Sequence, residues 1–114
     1  MSKHTLFLLT PGFADGEDGP FFCPHSAAME GFIKYAPAIE SEVDVRRIAF
    51  ERPRKDIIAL LGEENQGTPV LVLAEGKEVP PEAQVSTETG RAFIIDEIQI
   101  SNYLGRAMGV MRPH

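Results

Sequence analysis

The sequence predicts an α/β protein: a four-stranded mixed sheet flanked by three helices, in the order strand, helix, strand, helix, strand, strand, helix. Three observations predict it. Short apolar runs of strand length, bounded by Pro and Gly, fall at residues 5–10, 43–50, 70–74 and 92–95. Apolar residues at three- and four-residue steps fall between and after them. Strand–helix–strand units join parallel strands by right-handed crossovers, whereas the last two strands, joined only by a loop, pair antiparallel.

Each element has its own local reason. TLFLLT, Thr5 to Thr10, is a short apolar run stopped by Pro11-Gly12 and reads as a buried strand. Residues 11–22 read as an acidic, Gly-rich loop. Its Asp15, Glu17 and Asp18 lack the spacing of a calcium loop. From Pro24 to Ala36 the stripe Ala28, Met29, Phe32, Ile33 and Ala36 predicts a helix, which Pro37 stops. VDVRRIAF, Val43 to Phe50, is β-branched and partly alternating, hence a second strand. Pro53 suits the first helical position of a segment carrying Ile57, Ile58, Leu60 and Leu61 before Gly62. Pro69 opens the third strand, VLVLA, and residues 75–91 read as an irregular loop with Pro80-Pro81. Ala92 to Ile95 forms the fourth strand. Asp96 caps a last helix with the stripe Ile100, Leu104, Ala107, Met108 and Met111.

The 114 residues read as one domain, 1–114, with 43% hydrophobic and 25% charged residues, the proportions of a soluble globular protein. No apolar run approaches the roughly 18 residues of a membrane span, and the N-terminus lacks the features of a signal peptide, so a cytoplasmic protein is expected. A net charge of −6 argues against a nucleic-acid partner. Arg46, Arg47, Arg52, Arg54 and Lys55 nonetheless cluster, as a solvated strand end or as an anion-facing patch. A single cysteine excludes an internal disulfide, and with three scattered His it builds no structural zinc site, so no metal is expected.

That cysteine, Cys23, lies in FFCPHSAAM, residues 21–29, where the order suits a thiol at a helix N-terminus; a small buried hydrophobe is the alternative. Free backbone N–H groups and a partial positive charge at such a position favour a thiolate, and Pro24 removes no helical hydrogen bond in the first turn. Ser26 stands three residues on, where its hydroxyl could donate to the sulfur. His25 is expected to point outward, favouring the thiolate if protonated nearby. Phe21 and Phe22 either pack under the loop or wall the thiol. His4 and His114 are terminal and carry no functional reading.

Three stretches together resemble the thioredoxin-like superfamily, and within it glutaredoxins and the N-terminal domain of glutathione transferases. FCPHS, Phe22 to Ser26, resembles the CPxC or CPxS site of glutaredoxins and the FCPF-type site of omega-class transferases. GTPVLVL, Gly67 to Leu73, resembles the strand whose cis proline sits beside the active thiol, and DEIQISNYL, Asp96 to Leu104, is similar to a transferase helix start. The chain is also similar to what an uncharacterised bacterial domain-of-unknown-function family in that superfamily would be, with a fold and no assigned activity.

The resemblance implies a monothiol reaction, since a second cysteine is missing: Cys23 attacks a glutathione mixed disulfide and another thiol resolves it. Glutathione would be the co-substrate, and a small thiol or thiol-bearing protein the partner. Thr68 and Pro69 would offer backbone groups to the γ-glutamyl peptide, with Asp96 and Glu97 at its glutamyl end. The family's Lys before the Cys is replaced here by the acids of residues 15–18, and Glu97 stands where a serine is expected. Those anions favour a second reading, a non-catalytic thioredoxin-like binding module with an incidental thiol. An apolar strip on the last helix would suit a homodimer.

Overall fold

The computed structural model describes residues 3–114, which form a mixed α/β fold. Strand β1 (Thr5–Leu9) is followed by a hairpin of β2 (Phe13–Asp15) and β3 (Asp18–Phe21). Helices α1 (Pro24–Tyr35) and α2 (Ala38–Glu42) lead to β4 (Asp44–Ile48), then α3 (Lys55–Leu61) and β5 (Val70–Val72). The chain ends with β6 (Gln84–Val85), β7 (Ala92–Ile95) and α4 (Glu97–Met108). The main sheet has the order β4-β1-β5-β7-β6, with β1 parallel to β4 and its other neighbours antiparallel.

The expected four strands and three helices are thus five sheet strands, a separate two-stranded hairpin and four helices. Residues 11–22 are not a plain loop. Gly16, at φ 64, supplies the positive φ of a tight turn, which lets Phe13 pair with Phe21 and Asp15 with Asp18. Pro37 does end α1, but it also serves as N-cap of the unexpected α2, because proline is tolerated where a helix begins.

Pro53 is not the first helical residue. Arg54 follows it with non-helical backbone (φ −93, ψ 84), since its N–H is donated to Oε1 of Gln66, and α3 begins at Lys55. Strand β4 is shorter than Val43–Phe50, and β5 stops at Val72. Gly109, at φ 70, ends α4, so Met111 lies outside the helix and is exposed, as is Ala107.

β1 shows why the sheet is buried on both faces. Leu6 and Leu8 join Met29, Phe32, Ile33, Leu71, Ile94, Ile100 and Leu104 on the side of α1, α2 and α4. Phe7 points the other way, into Ile57, Leu61, Val70, Val72 and Phe93 beneath α3. A continuous apolar run without alternation is what a strand covered by helices on both faces requires.

The 75–91 stretch adds edge strand β6 and is tied down at both ends. Hydroxyls of Ser86 and Thr89 donate to the carbonyls of Leu61 and Leu60, both at 2.7 Å, satisfying the end of α3. Arg106 of α4 holds Glu82 with two hydrogen bonds, at 2.7 and 2.9 Å. His4 is not uninformative either. Its Nδ1 accepts the N–H of Ala74 at 2.8 Å, and its Nε2 lies 3.3 Å from the Tyr103 hydroxyl, joining β1 to α4.

Candidate functional site

The C-terminal end of β1 is where the fold gathers its chemistry. Leu9 ends that strand, and its N–H donates to the hydroxyl of Ser26 in α1 at 3.1 Å. The register pairs Phe7 with Val70 and Val70 with Ile95. Continued by one residue, it sets Pro69 level with Leu8 on one side and with Asp96 on the other. The N-termini of α1 and α4 and the start of β5 therefore share one end of the sheet. Both 12-residue helices direct free N–H groups and the positive end of their dipoles there.

Cys23 is the N-cap of α1, with extended backbone (φ −79, ψ 117), and its Sγ accepts the N–H of Ser26 at 3.3 Å. Pro24 occupies the first helical turn, as expected. The partly buried sulfur borders a cavity of about 260 Å³ lined by Leu9, Pro11, Phe22, Ser26, Ala27 and Glu30. Phe22 is 61% exposed and walls this hollow rather than packing in the core. Glu30 brings no free charge to it, because Arg47 grips its carboxylate with two bonds of 2.8 Å.

Ser26 is near the sulfur, but by a different atom from the one expected. Its hydroxyl is buried and accepts from Leu9, so its backbone N–H, not its Oγ, addresses Sγ. His25 does point outward, and its Nδ1 meets Oε2 of Glu97 at 2.8 Å. The hydrogen bond and then the charge of Glu97 raise the imidazole above its ordinary pKa; the same bond lowers the Glu97 carboxyl. Glu97 is thus not a bare anion beside the cleft. Asp96 is spent within its own helix, its Oδ1 accepting the N–H groups of Ile98 at 2.8 Å and Gln99 at 3.3 Å.

The Thr68–Pro69 peptide bond is cis, and Pro69 is buried. Two further cis prolyl bonds occur, at Gly19–Pro20 and Arg52–Pro53, where the sequence carries no reading of them. The acids of the hairpin lie at its turn, where Asp15 pairs with Asp18, while the thiol follows its base at Phe21.

The basic cluster is not a single anion-facing patch. Arg46 pairs with Asp44 at 2.9 Å, Arg47 with Glu30, and Arg54 is only 7% exposed. Arg54 is the residue of this region that sequence reasoning placed on the surface and the fold places inside. A larger hollow of about 570 Å³ opens at the opposite end of the sheet, among Lys3, Thr5, Arg46 and Arg91. Of the residues predicted for the thiol site none lines it, and of the basic cluster only Arg46 does. Among the described residues, no group of three or more His, Cys, Asp or Glu side chains is placed to hold a metal ion, and no helix is long and apolar enough to cross a membrane.

Residues 3–112 match the family described as "Protein of unknown function (DUF3088)". The chain belongs to that family. No curated protein and no solved structure matches it. The family's description assigns no activity, so the reading of the site rests on its chemistry.

Proposed function

We propose that this chain is a thioredoxin-like monothiol protein in which Cys23 is the nucleophile of thiol–disulfide exchange. The observation that carries the reading is the position of Sγ: at the N-cap of a helix, accepting a backbone N–H, and open to an apolar hollow. A thiolate there gains from the helix N-terminus without needing a cationic side chain in its own loop. The parallel β1–β4 pair, the antiparallel β1–β5–β7 succession and the shared sheet end of Cys23 and Pro69 support the fold part of the reading.

In the first step the Cys23 thiolate attacks one sulfur of a disulfide R–S–S–G, forming Cys23–S–S–G and releasing R–S⁻, which takes up a proton. A second thiolate, G–S⁻, then attacks the Cys23 mixed disulfide, giving G–S–S–G and regenerating the Cys23 thiolate. With glutathione as G, the peptide would extend along Thr68. The N-terminus of α4 would receive its carboxylate beside Asp96, which caps that helix, and Glu97, which His25 holds.

Oxidised glutathione incubated with the folded protein should add one glutathionyl group, and Cys23→Ser should abolish the adduct. A protein that stays unmodified, while smaller uncharged disulfides also fail, would overturn the reading. It would leave a binding module, for which the exposed Phe21 and Phe22 beside the hollow provide the contact surface.

A further inference from the structure

The hollow of about 570 Å³ at the far end of the sheet from the thiol has a structural cause. Side chains two apart on a strand share a face, so Thr5 points with Phe7 to the side that α3 covers. The register carries that face across the sheet. Asp44 pairs with Thr5 and Arg46 with Phe7 in parallel β4, and Arg91 stands two residues before Phe93 of β7. The Arg46 guanidinium carbon lies 5.9 Å from the Phe7 ring centroid, on that same face. Helix α3 has 7 residues, about 10 Å of axis. Its last turn brings Leu60 to the wall of the hollow, and past it this face of the sheet is left open.

Two polar groups that line this hollow are left unanswered. The Arg91 side chain is 19% exposed. Its Nη2 donates to the carbonyl of Leu73 at 3.0 Å, but its Nε is buried with no partner among the described residues. Its Nη1 has only Oε1 of Glu75, at 3.7 Å, beyond hydrogen-bond distance. Glu75 is 77% exposed, so solvent weakens even that attraction. Thr5 is buried, and its hydroxyl makes no hydrogen bond among the described residues. Withdrawing such groups from water is costly unless something replaces the lost bonds. Lys3 lines the same hollow, its Nζ donating to the Ser41 carbonyl at 3.1 Å with two further protons to give.

We propose that this hollow binds a small organic carboxylate, whose oxygens accept from Arg91 Nη1 and the Thr5 hydroxyl and whose charge faces Lys3. The site is separate from the thiol and does not depend on the thiol's reactivity. Its charges decide the ligand class. Lys3, Arg46 and Arg91 line the hollow with Glu40, Asp44 and Glu75. Asp44 is answered by Nε and Nη2 of Arg46, both at 2.9 Å, and Glu40 leans towards Arg47 at 3.9 Å. The cation without a close acid is the well-buried Arg91, and the acid nearest it is the exposed Glu75. The inside is thus positive and the rim acidic. A cationic ligand would be answered only at the rim, and a phosphate dianion would be repelled there twice over. A single carboxylate satisfies the guanidinium by a charge-assisted hydrogen bond. Nε is closed to a ligand as it is to water, so the outer Nη1 makes that contact.

The test is a magnetic-resonance titration of the isotope-labelled chain with sodium butyrate, set against butylammonium chloride and inorganic phosphate at equal ionic strength. Butyrate should move the amide resonances of Thr5 and Arg91 saturably, with a midpoint of about 1–10 mM for so small a fragment. The amides of Cys23 and Ser26 should stay still. Arg91→Met should weaken binding about tenfold and Thr5→Val about threefold. An Arg91 that served only to brace the Leu73 carbonyl would leave the titration of Arg91→Met as in the wild type, which overturns the proposal. So do shifts that grow without saturating, and tighter binding of butylammonium or phosphate. Should Arg91→Met not fold, the Arg91 Nε–H resonance of the wild type decides. It should move with the same midpoint as the Thr5 amide; a resonance that stays put while butyrate saturates overturns the proposal.

Discussion

The two 12-residue helices that begin at the same end of the sheet are capped in opposite ways. Asp96 opens α4 with a carboxylate that accepts two N–H groups, among the best N-caps available, and it does so from a positive φ of 77. Cys23 opens α1 with a sulfur, a weak acceptor that reaches one N–H at 3.3 Å. A chain selected only for stability would place Asp, Asn or Ser there. The difference teaches where stability has been set aside: at α1 the cap is poor and a thiol occupies the helix start, and at α4 a carboxylate takes up the first free N–H groups itself.

The comparison can be broken most strongly at α4. Asp96→Ala removes both cap bonds and leaves an alanine at positive φ, so unfolding free energy from urea titration should fall by about 2 kcal/mol. Cys23 alkylation should be unchanged. Ser26→Ala comes next. It leaves the buried N–H of Leu9 without its acceptor and should cost about 1–2 kcal/mol. The Ser26 backbone bond to Sγ does not depend on the hydroxyl, so Cys23 should remain reactive; loss of alkylation in a folded Ser26→Ala protein would show that the hydroxyl serves the sulfur after all.

Cys23→Ser sharpens the comparison with a smaller effect of opposite sign. A serine caps better than a cysteine, so this variant should be more stable by about 0.5 kcal/mol, read as a higher urea midpoint with unchanged slope. A destabilised variant would mean that the thiol is valued for packing.

The smallest effect is in pH dependence. His25 has its pKa raised by Glu97, so its contribution is complete below the unfolded value near 6.5 and disappears as pH rises through its folded value. Glu97, lowered by His25, contributes above its unfolded value near 4.5 and loses that as pH falls through its folded one. His4 has the reverse sign. Burial and then Lys77 lower its pKa, and protonating Nδ1 would destroy its bond from Ala74, so stability should decline as pH falls below about 6.5. His25→Asn should remove the loss on the alkaline side together with the Glu97 share of the acid decline, leaving the His4 share in place; His4→Asn should remove that share alone.

These residues also mark what could be read from sequence. Helix α1, from Pro24 to Tyr35, and strand β7, from Ala92 to Ile95, were legible because their signals are local: a stripe, a proline, an apolar run. The hairpin was hidden because Gly16, Gly19 and Pro20 read as loop, although the same residues allow its turn and its strand. Spacing found Ser26 but not its role, since its partner Leu9 lies 17 residues away. Arg54 was missed as a buried group for the same reason. A charged side chain reads as exposed unless the carbonyls that receive it, here those of Phe50 and Gln66, are known to surround it.

One rate comparison tests the central claim, that the α1 N-terminus activates the sulfur it carries. Iodoacetamide at pH 7 should alkylate Cys23 faster in the folded protein than in the same chain unfolded in urea, because only folding supplies the helix field. Slower labelling in the folded state, or labelling only after unfolding, would contradict it.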